Sequence, residues 1–307
     1  MNSLPGLQIV LVSLLSILVA APATEAQDLK PGLPGMAPSK WITVKHTQAP
    51  DRIFRTDNSK RQSYTQEDVF FKLWIPLVMK SRFSVIVGPQ YRTEQLEFTG
   101  SGENPMKELG NWNLRSMGID FKSLINVDST SWLLVNLNAN QCSNLNDVVS
   151  QAVPLNFTLT SLFLRKKSAN KEVGFGLMVN NLFHRFTFMP VMAFNYNFSK
   201  TSGLEMCLPQ KISWRNNLSA TDILYVKAEA MTRSYYIKYD DKDSTPFRRA
   251  EVDFGVAYNK QINRIMGVEV FGGYRKNISC RLPDDIFAVK TSGAVFTCEF
   301  YIRPPRL

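Results

Sequence analysis

The sequence predicts an all-β protein, a single antiparallel transmembrane β-barrel of about twelve strands (range about ten to fourteen), and three observations carry the prediction. From Val69 to Ile302, in at least nine runs, every second side chain is apolar and those between are mostly polar, charged or glycine. Each run is roughly ten residues long, which exceeds an ordinary strand of about five or six and matches the ~9–11 needed to cross a bilayer at a tilt. Beyond Gln27 no stretch of 18 apolar residues occurs, so nothing there is long enough to span a membrane as a helix.

Taken in order, the chain opens with a 13-residue apolar block, Ile9 to Ala21, followed by Pro22-Ala23-Thr24-Glu25-Ala26-Gln27. Small residues there suit cleavage after Ala26, or alternatively Ala23, so residues 1–26 are expected to be a secretory signal, although no Lys or Arg precedes the block. Residues 27–68 are polar and rich in proline (Pro31, Pro34, Pro38, Pro50) and lack sustained periodicity. They are expected to form an N-terminal extension, a linker by default and a lumen plug as the alternative. Residues 69–307 are expected to form the barrel.

Its first strand carries Val69, Phe71, Leu73, Ile75, Leu77 and Met79 on one face, and Phe83, Val85, Val87 and Tyr91 return after a tight turn near Lys80-Ser81. A long loop, about Thr99 to Asn113, precedes Met117–Ile125; a short turn leads to Leu133–Ala139, and Gln141 to Pro154 is long again. Further strands are expected at Leu155–Arg165, Val173–Val179, Phe186–Phe198, Leu204–Trp214 (which Pro209 can split in two), Leu224–Tyr236, Ala250–Tyr258, Gly267–Arg275 and Ala294–Ile302. Short connections alternating with long ones are the habit of outer-membrane barrels.

Charge separates the two faces. Val173, Phe175, Leu177 and Val179; Phe186, Phe188, Met192 and Phe194; Val252, Phe254, Val256 and Tyr258; and Phe296, Cys298, Phe300 and Ile302 make faces without a formal charge. A Lys or Arg facing lipid at the midplane costs about 2–4 kcal/mol, which a membrane selects against. The opposite face, expected to line the lumen, carries Lys72, Arg82, Arg92, Asp120, Lys227, Glu229, Arg249, Glu251, Asp253, Glu269 and Glu299. Arg249 beside Glu251 and Asp253 reads as a structural ion-pair network rather than a glycosidase-like carboxylate pair. Aromatic residues near strand ends, Tyr91, Phe98, Trp132, Phe198, Trp214, Tyr258 and Tyr274, suit interfacial girdles.

Pro76, Pro89, Pro190 and Pro209 fall in or near strands of a sheet that has no free edge, so they must occupy strand ends, bulges or the wet boundary. The segments around them, KLWIPLVMKSRFSVIVGPQYRTEQLEF, FMPVMAFNYNFSKTSGLEMCLPQKISW and VEVFGGYRKN, resemble a family of uncharacterised outer-membrane β-barrels of the Bacteroidetes, defined as a domain of unknown function. Ile75-Pro76-Leu77, Pro190 with Tyr196, Leu208-Pro209 and Gly272-Gly273-Tyr274 carry the resemblance, which implies an outer-membrane barrel and supplies no catalytic residue or cofactor. The final strand is followed by Arg303-Pro304-Pro305-Arg306-Leu307 rather than ending on an aromatic residue.

Formal charge is +10, and removing residues 1–26 takes away Glu25 and no base. Such a surface suits anionic lipid and lipopolysaccharide, whereas basic residues this scattered do not make a nucleic-acid face. Cys142 and Cys280 fall in expected loops and could pair, with free or buried thiols as the equal alternative; Cys207 and Cys298 fall in strands. With only His46 and His184 in the chain, a histidine-based metal site or catalytic triad has little to draw on. No catalytic, metal or cofactor residue is therefore assigned, and a membrane-embedded hydrolase stays a minor alternative. The first functional expectation is a passive pore or small-solute transporter without strong ion selectivity, inserted by the barrel-assembly machinery. A non-conducting structural or surface-binding barrel with a plugged lumen comes second, and a soluble periplasmic β-protein is the plain alternative.

Overall fold

The computed structural model describes residues 31–37, 39–54, 62–99, 113–145, 153–182, 186–238, 245–281 and 292–304. Among them are fifteen strands: β1 (Ile42–Phe54), β2 (Gln62–Leu73), β3 (Ile75–Met79), β4 (Phe83–Thr99), β5 (Asn113–Asp128), β6 (Ser131–Ser143), β7 (Asn156–Ser168), β8 (Lys171–Asn180), β9 (Thr187–Asn197), β10 (Ser202–Leu208), β11 (Lys211–Asn217), β12 (Asp222–Ile237), β13 (Thr245–Gln261), β14 (Met266–Arg281) and β15 (Ser292–Ile302). Each pairs antiparallel with its neighbours, β1 closes on β15, and β2 and β3 both pair with β4. Since only Trp74 parts β2 from β3, they are halves of one wall strand, and the closed barrel has fourteen.

Both ends of the strand order, the start of β1 and the finish of β15, lie at one end of the barrel. Connections there are two to four residues long; those at the opposite end run to thirteen, except the two-residue turn Pro209-Gln210. The expected split at Pro209 is what separates β10 from β11.

The expected boundary at Val69 is corrected: β1 and the first half of β2 belong to the wall. Their inward residues Thr47, Ala49, Gln66 and Asp68 are buried, while His46 and Glu67 point outward. Alternation there is between polar residues on both faces, so hydropathy carries no period for it. The expected signal over residues 1–26 and His184 lie outside the described residues.

All four prolines sit where a ladder bond is absent or interrupted. Pro76 lies in β3, which pairs only with β4 and has a register shift after Pro76. Pro89 faces the break at Trp74, because Gln90 pairs with Lys72 and Val87 with Ile75. Pro190 stands on β9 above the last β10 partner, Met192↔Leu208, and Pro209 is in the turn. A proline removes one donor, so each is placed where that donor has no strand partner to lose.

Outward side chains form the apolar belt, with Phe163, Phe175, Leu177, Phe188, Met192, Phe254, Val256 and Phe296 exposed. Tyr91, Phe198, Trp214, Tyr258 and Tyr274 are exposed as well, but Trp132 is turned inward and buried. Cys142 and Cys280 lie in β6 and β14 rather than in loops and are buried, and none of the four cysteines is disulfide-bonded.

Candidate functional site

The interior of the barrel divides into a charged part and an apolar part. On the charged side, Glu94 of β4 is fully buried and accepts hydrogen bonds from Gln66 Nε2 (2.8 Å), Tyr235 OH (2.9 Å), Arg233 Nη1 (3.0 Å) and Arg249. Arg233 Nη2 also reaches Asp68 Oδ2 at 2.8 Å, where Arg92 Nη1 lies at 3.2 Å. Arg275 holds Asp253 through two parallel bonds of 2.6 Å each and faces Glu251 across 3.9 Å. Nearer the short-turn end, Lys227 Nζ donates to Glu269 (2.7 Å) and lies 3.3 Å from Glu229. Lys72 pairs with Asp120, which also accepts from Asn138 (2.7 Å).

Of the residues expected to line the lumen, the structure thus places Lys72, Arg92, Asp120, Lys227, Glu229, Arg249, Glu251, Asp253, Glu269 and Glu299 on the inner face in ion pairs. Arg82 is corrected: it is exposed in the three-residue turn between β3 and β4, where strand alternation has ended. Sequence reasoning did not name Asp68, Glu94, Arg233 and Arg275, although Glu94 follows Arg92 at the same-face spacing of two and Arg233 continues the row Lys227, Glu229. Asp68 was lost with the misplaced start of the wall.

These pairs run across the lumen, since Arg233 of β12 meets Asp68 of β2 and Glu94 of β4. Compensated charge therefore fills this side. Above it, Tyr64, Leu96, Leu114, Cys142, Tyr235, Ile237, Phe247 and Cys280 form a buried apolar cluster at the long-loop end. There β12 leaves the outer wall and crosses inward: Tyr236 pairs in parallel with Ser143 of β6, Asn156 Nδ2 donates to the Ser234 carbonyl (3.2 Å), and Asn144 and Lys238 exchange hydrogen bonds of 2.8 and 3.0 Å. The contact closes a smaller ring, β12 to β15 with β1, β2, β4, β5 and β6, and leaves β7 to β11 as a side lobe.

The upper inner wall of that lobe is apolar, and lower down Glu205 of β10 pairs with Arg215 of β11 at 3.3 Å. Trp132, Leu162, Leu164, Met178, Val191 and Ala193 are buried together, with Leu124, Leu134, Met189 and Cys207 packed against them. Gly174 and Gly176 face the same side, and a Cβ on Gly176 would stand 1.9 Å from the Ser161 carbonyl oxygen, so β8 approaches β7 too closely for any side chain.

Residues 31–37 and 39–41 lie across the short-turn mouth as a floor. Gly32 N donates to Glu172 of β8 (2.7 Å), the Pro34 carbonyl accepts from Asn197 of β9 (2.9 Å) and Arg215 of β11 (3.4 Å), and the Gly35 carbonyl accepts from Asn217 (3.2 Å). Leu33 is buried, and Ala37 packs against the cluster that holds Tyr225, Ala257 and Phe271. Lys40 Nζ pairs with Glu299 and, at 3.4 Å, with Glu269, before Trp41 N joins the wall through the Ile302 carbonyl (2.6 Å). Burial opposes the Lys40 charge, but Glu269 and Glu299 outweigh it and hold its pKa above the ordinary lysine value. Being raised, that pairing is complete at neutral pH and is lost only as alkali titrates the ammonium. A cavity of about 200 Å³ lies beside the floor, lined by Gly35, Met36, Asn217, Thr221, Asn259 and Tyr301 among others.

Among the described residues no group of three or more His, Cys, Asp or Glu is placed to hold a metal ion. His46 is on the outer face, 2.8 Å from Glu67.

A family described as a domain of unknown function, DUF6268, matches residues 48–286. No curated protein matches the sequence. Among solved structures, an outer membrane channel from Pseudomonas putida F1 aligns at 10% identity over 89% of this chain and 99% of its own, with a TM-score of 0.48. LpxR from Salmonella typhimurium aligns at 7% identity over 85% and 99%, with a TM-score of 0.39. The toluene transporter TbuX of Ralstonia pickettii aligns at 8% identity over 90% and 95%, with a TM-score of 0.36.

Proposed function

We propose, for a chain that belongs to the DUF6268 family, a domain of unknown function, that it is an outer-membrane channel for small solutes, held closed by residues 31–41 across its short-turn mouth. The floor carries this reading. Unlike the walls, its described residues before Trp41 take part in no strand ladder, and they are fastened by scattered hydrogen bonds and the Lys40 pairs. The neutral bonds contribute about 0.5–1.5 kcal/mol net each and those to charged groups about 1.5–3, and none of them is shared with the strand ladders, so the segment can leave without unfolding the barrel.

The apolar belt supports a membrane setting. Its outward residues on β7 to β9 and β13 to β15 carry the exposed aromatic and aliphatic side chains, and the inner face carries the ion pairs. In this reading the chain is exported, inserted by the barrel-assembly machinery and surrounded by outer-membrane lipid and lipopolysaccharide. No side chain is given a catalytic role. Acids and bases alternate on the inner wall, so a current through it is expected to show little ion preference.

The test is planar-bilayer conductance of the mature chain and of the same chain lacking residues 27–40, each shown to be folded by the boiled-versus-unboiled gel shift. The mature barrel is expected to be silent, and the floorless barrel to carry current in stable steps with a reversal potential near zero in a salt gradient. Silence from a folded floorless barrel would instead support the non-conducting structural barrel.

A further inference from the structure

We infer that the barrel has a side window into the bilayer above the β10–β11 hairpin, and that it admits small apolar solutes to the lobe behind it; this deepens the channel reading and rests on it. The wall is low there. β10 and β11 have seven residues each, whereas β9 has eleven and β12 sixteen. Seven residues at ~3.4 Å, tilted by about 40°, rise about 18 Å, short of an apolar band about 25 Å tall.

Strand pairing ends accordingly. β9 pairs with β10 only from Met192 downward, so among the described residues, 187–191 have no strand partner on that side. β12 pairs with β11 only up to Glu229, and Ala230 N takes the Gln210 carbonyl (2.8 Å) before the strand bends inward to Ser143. Backbone at membrane depth that lacks a strand partner is tolerated where it borders a cavity or protein rather than bare lipid. Pro190 removes one donor from that edge.

Apolar surface continues through the gap. Phe186, Phe188 and Leu208 are exposed on the outside of its rim, and Met189, Val191 and Met178 lie on the inside. The larger charged network is on the opposite side, against β2, β4 and β12 to β14, so a solute entering at the window meets Met178, Met189 and Val191 first, and the Glu205–Arg215 ion pair (3.3 Å) lies only lower in the lobe, toward the floor. The floor residues Gly32 to Gly35 contact β8, β9 and β11, beneath this same lobe, which gives the window an exit once the floor leaves. The occupant is a free hydrocarbon-rich molecule dissolved in the bilayer, not a phospholipid tail.

The experiment is photolabelling of the full mature barrel in liposomes with a diazirine-bearing fatty acid, and in parallel with a phospholipid carrying the diazirine in its acyl chain. The fatty acid is expected to label Met178, Met189 and Val191 as well as the outward Phe175, Phe188 and Met192, and the phospholipid only the outward set. Met189→Lys is expected to cut the inner labels about tenfold or more and leave the outer ones unchanged, because a charge in an apolar passage opposes hydrocarbon. Met189→Gln, a milder change, should lower them in the same direction. Fatty-acid labels confined to the outer set would overturn the window. Equal inner labelling by the phospholipid would make the lobe a lipid-filled cleft and overturn the solute assignment. Conductance does not enter these readouts, so a barrel that stays silent without its floor leaves the labelling result standing by itself.

Discussion

Glu94→Gln is expected to destabilise the barrel by about 3–5 kcal/mol, because it leaves buried guanidinium groups without their counter-charge. Glu94 is fully buried and serves Arg233, Arg249, Tyr235 and Gln66 at once. A glutamine oxygen can still accept one bond, but its amide would turn a donor toward two cations. Asp68 remains for Arg233, whereas Arg249 loses the one ion pair it has within bonding distance among the described residues. Urea unfolding of the detergent-solubilised barrel, followed by loss of the gel shift, measures the change. Replacing Glu94, Arg233 and Arg249 together by apolar residues of similar volume should recover most of the loss, since the cost arises from unpaired charge rather than from missing attraction. A shift below about 1 kcal/mol for Glu94→Gln would show that this side of the lumen is hydrated and not packed with compensated charge.

Gly35→Val is expected to release the floor with little effect on the walls. Gly35 has φ +82, where a β-branched residue costs roughly 1–2 kcal/mol or more. A Cβ there would also stand 2.5 Å from Arg215 Nη1 and 2.6 Å from Asn217 Nδ2, two of the groups that fasten the segment. Strain and lost hydrogen bonds together match the few kcal/mol that a handful of such bonds provides, so the closed population should fall by about tenfold or more. The variant should conduct intermittently where the mature barrel is silent, and its unfolding midpoint should stay near that of the parent. A silent Gly35→Val barrel with a lowered midpoint would mean that the segment is part of the folded wall.

The barrel itself was legible because a bilayer imposes contrast. Where a strand crosses the apolar belt, as at 173–179, 252–258 and 296–302, outward residues must be greasy and the period of two is plain. On β1 and the first half of β2 polar residues stand on both faces, His46 and Glu67 outward and Thr47 and Gln66 inward, so the period vanishes, which hid these segments. Inward charges were readable by counting in twos from a recognised strand. Arg82 was misplaced because it is the last residue of the turn, immediately before the strand starts at Phe83. Trp132 looked like a girdle residue by its position near a strand end, but parity places it on the inner face with Leu134. The floor left no periodic trace, because backbone carbonyls and glycines hold it and those are chemically alike in every loop. Nor could the lobe be seen, since it depends on β12 bending across to β6, a contact between residues 93 positions apart.

The most direct measurement is labelling of Cys207 by a membrane-impermeant thiol reagent applied from the short-turn side. Cys207 faces the lobe above the floor, Cys298 faces outward, and Cys142 and Cys280 are buried in the upper cluster, so three thiols in the same chain act as references. Cys207 is expected to be protected in the mature barrel, and to react about tenfold faster or more in Gly35→Val and in the chain lacking residues 27–40, with Cys142 and Cys280 unchanged. Equal reactivity of Cys207 in all three proteins would contradict the account, because residues 31–41 would then not be what closes the mouth.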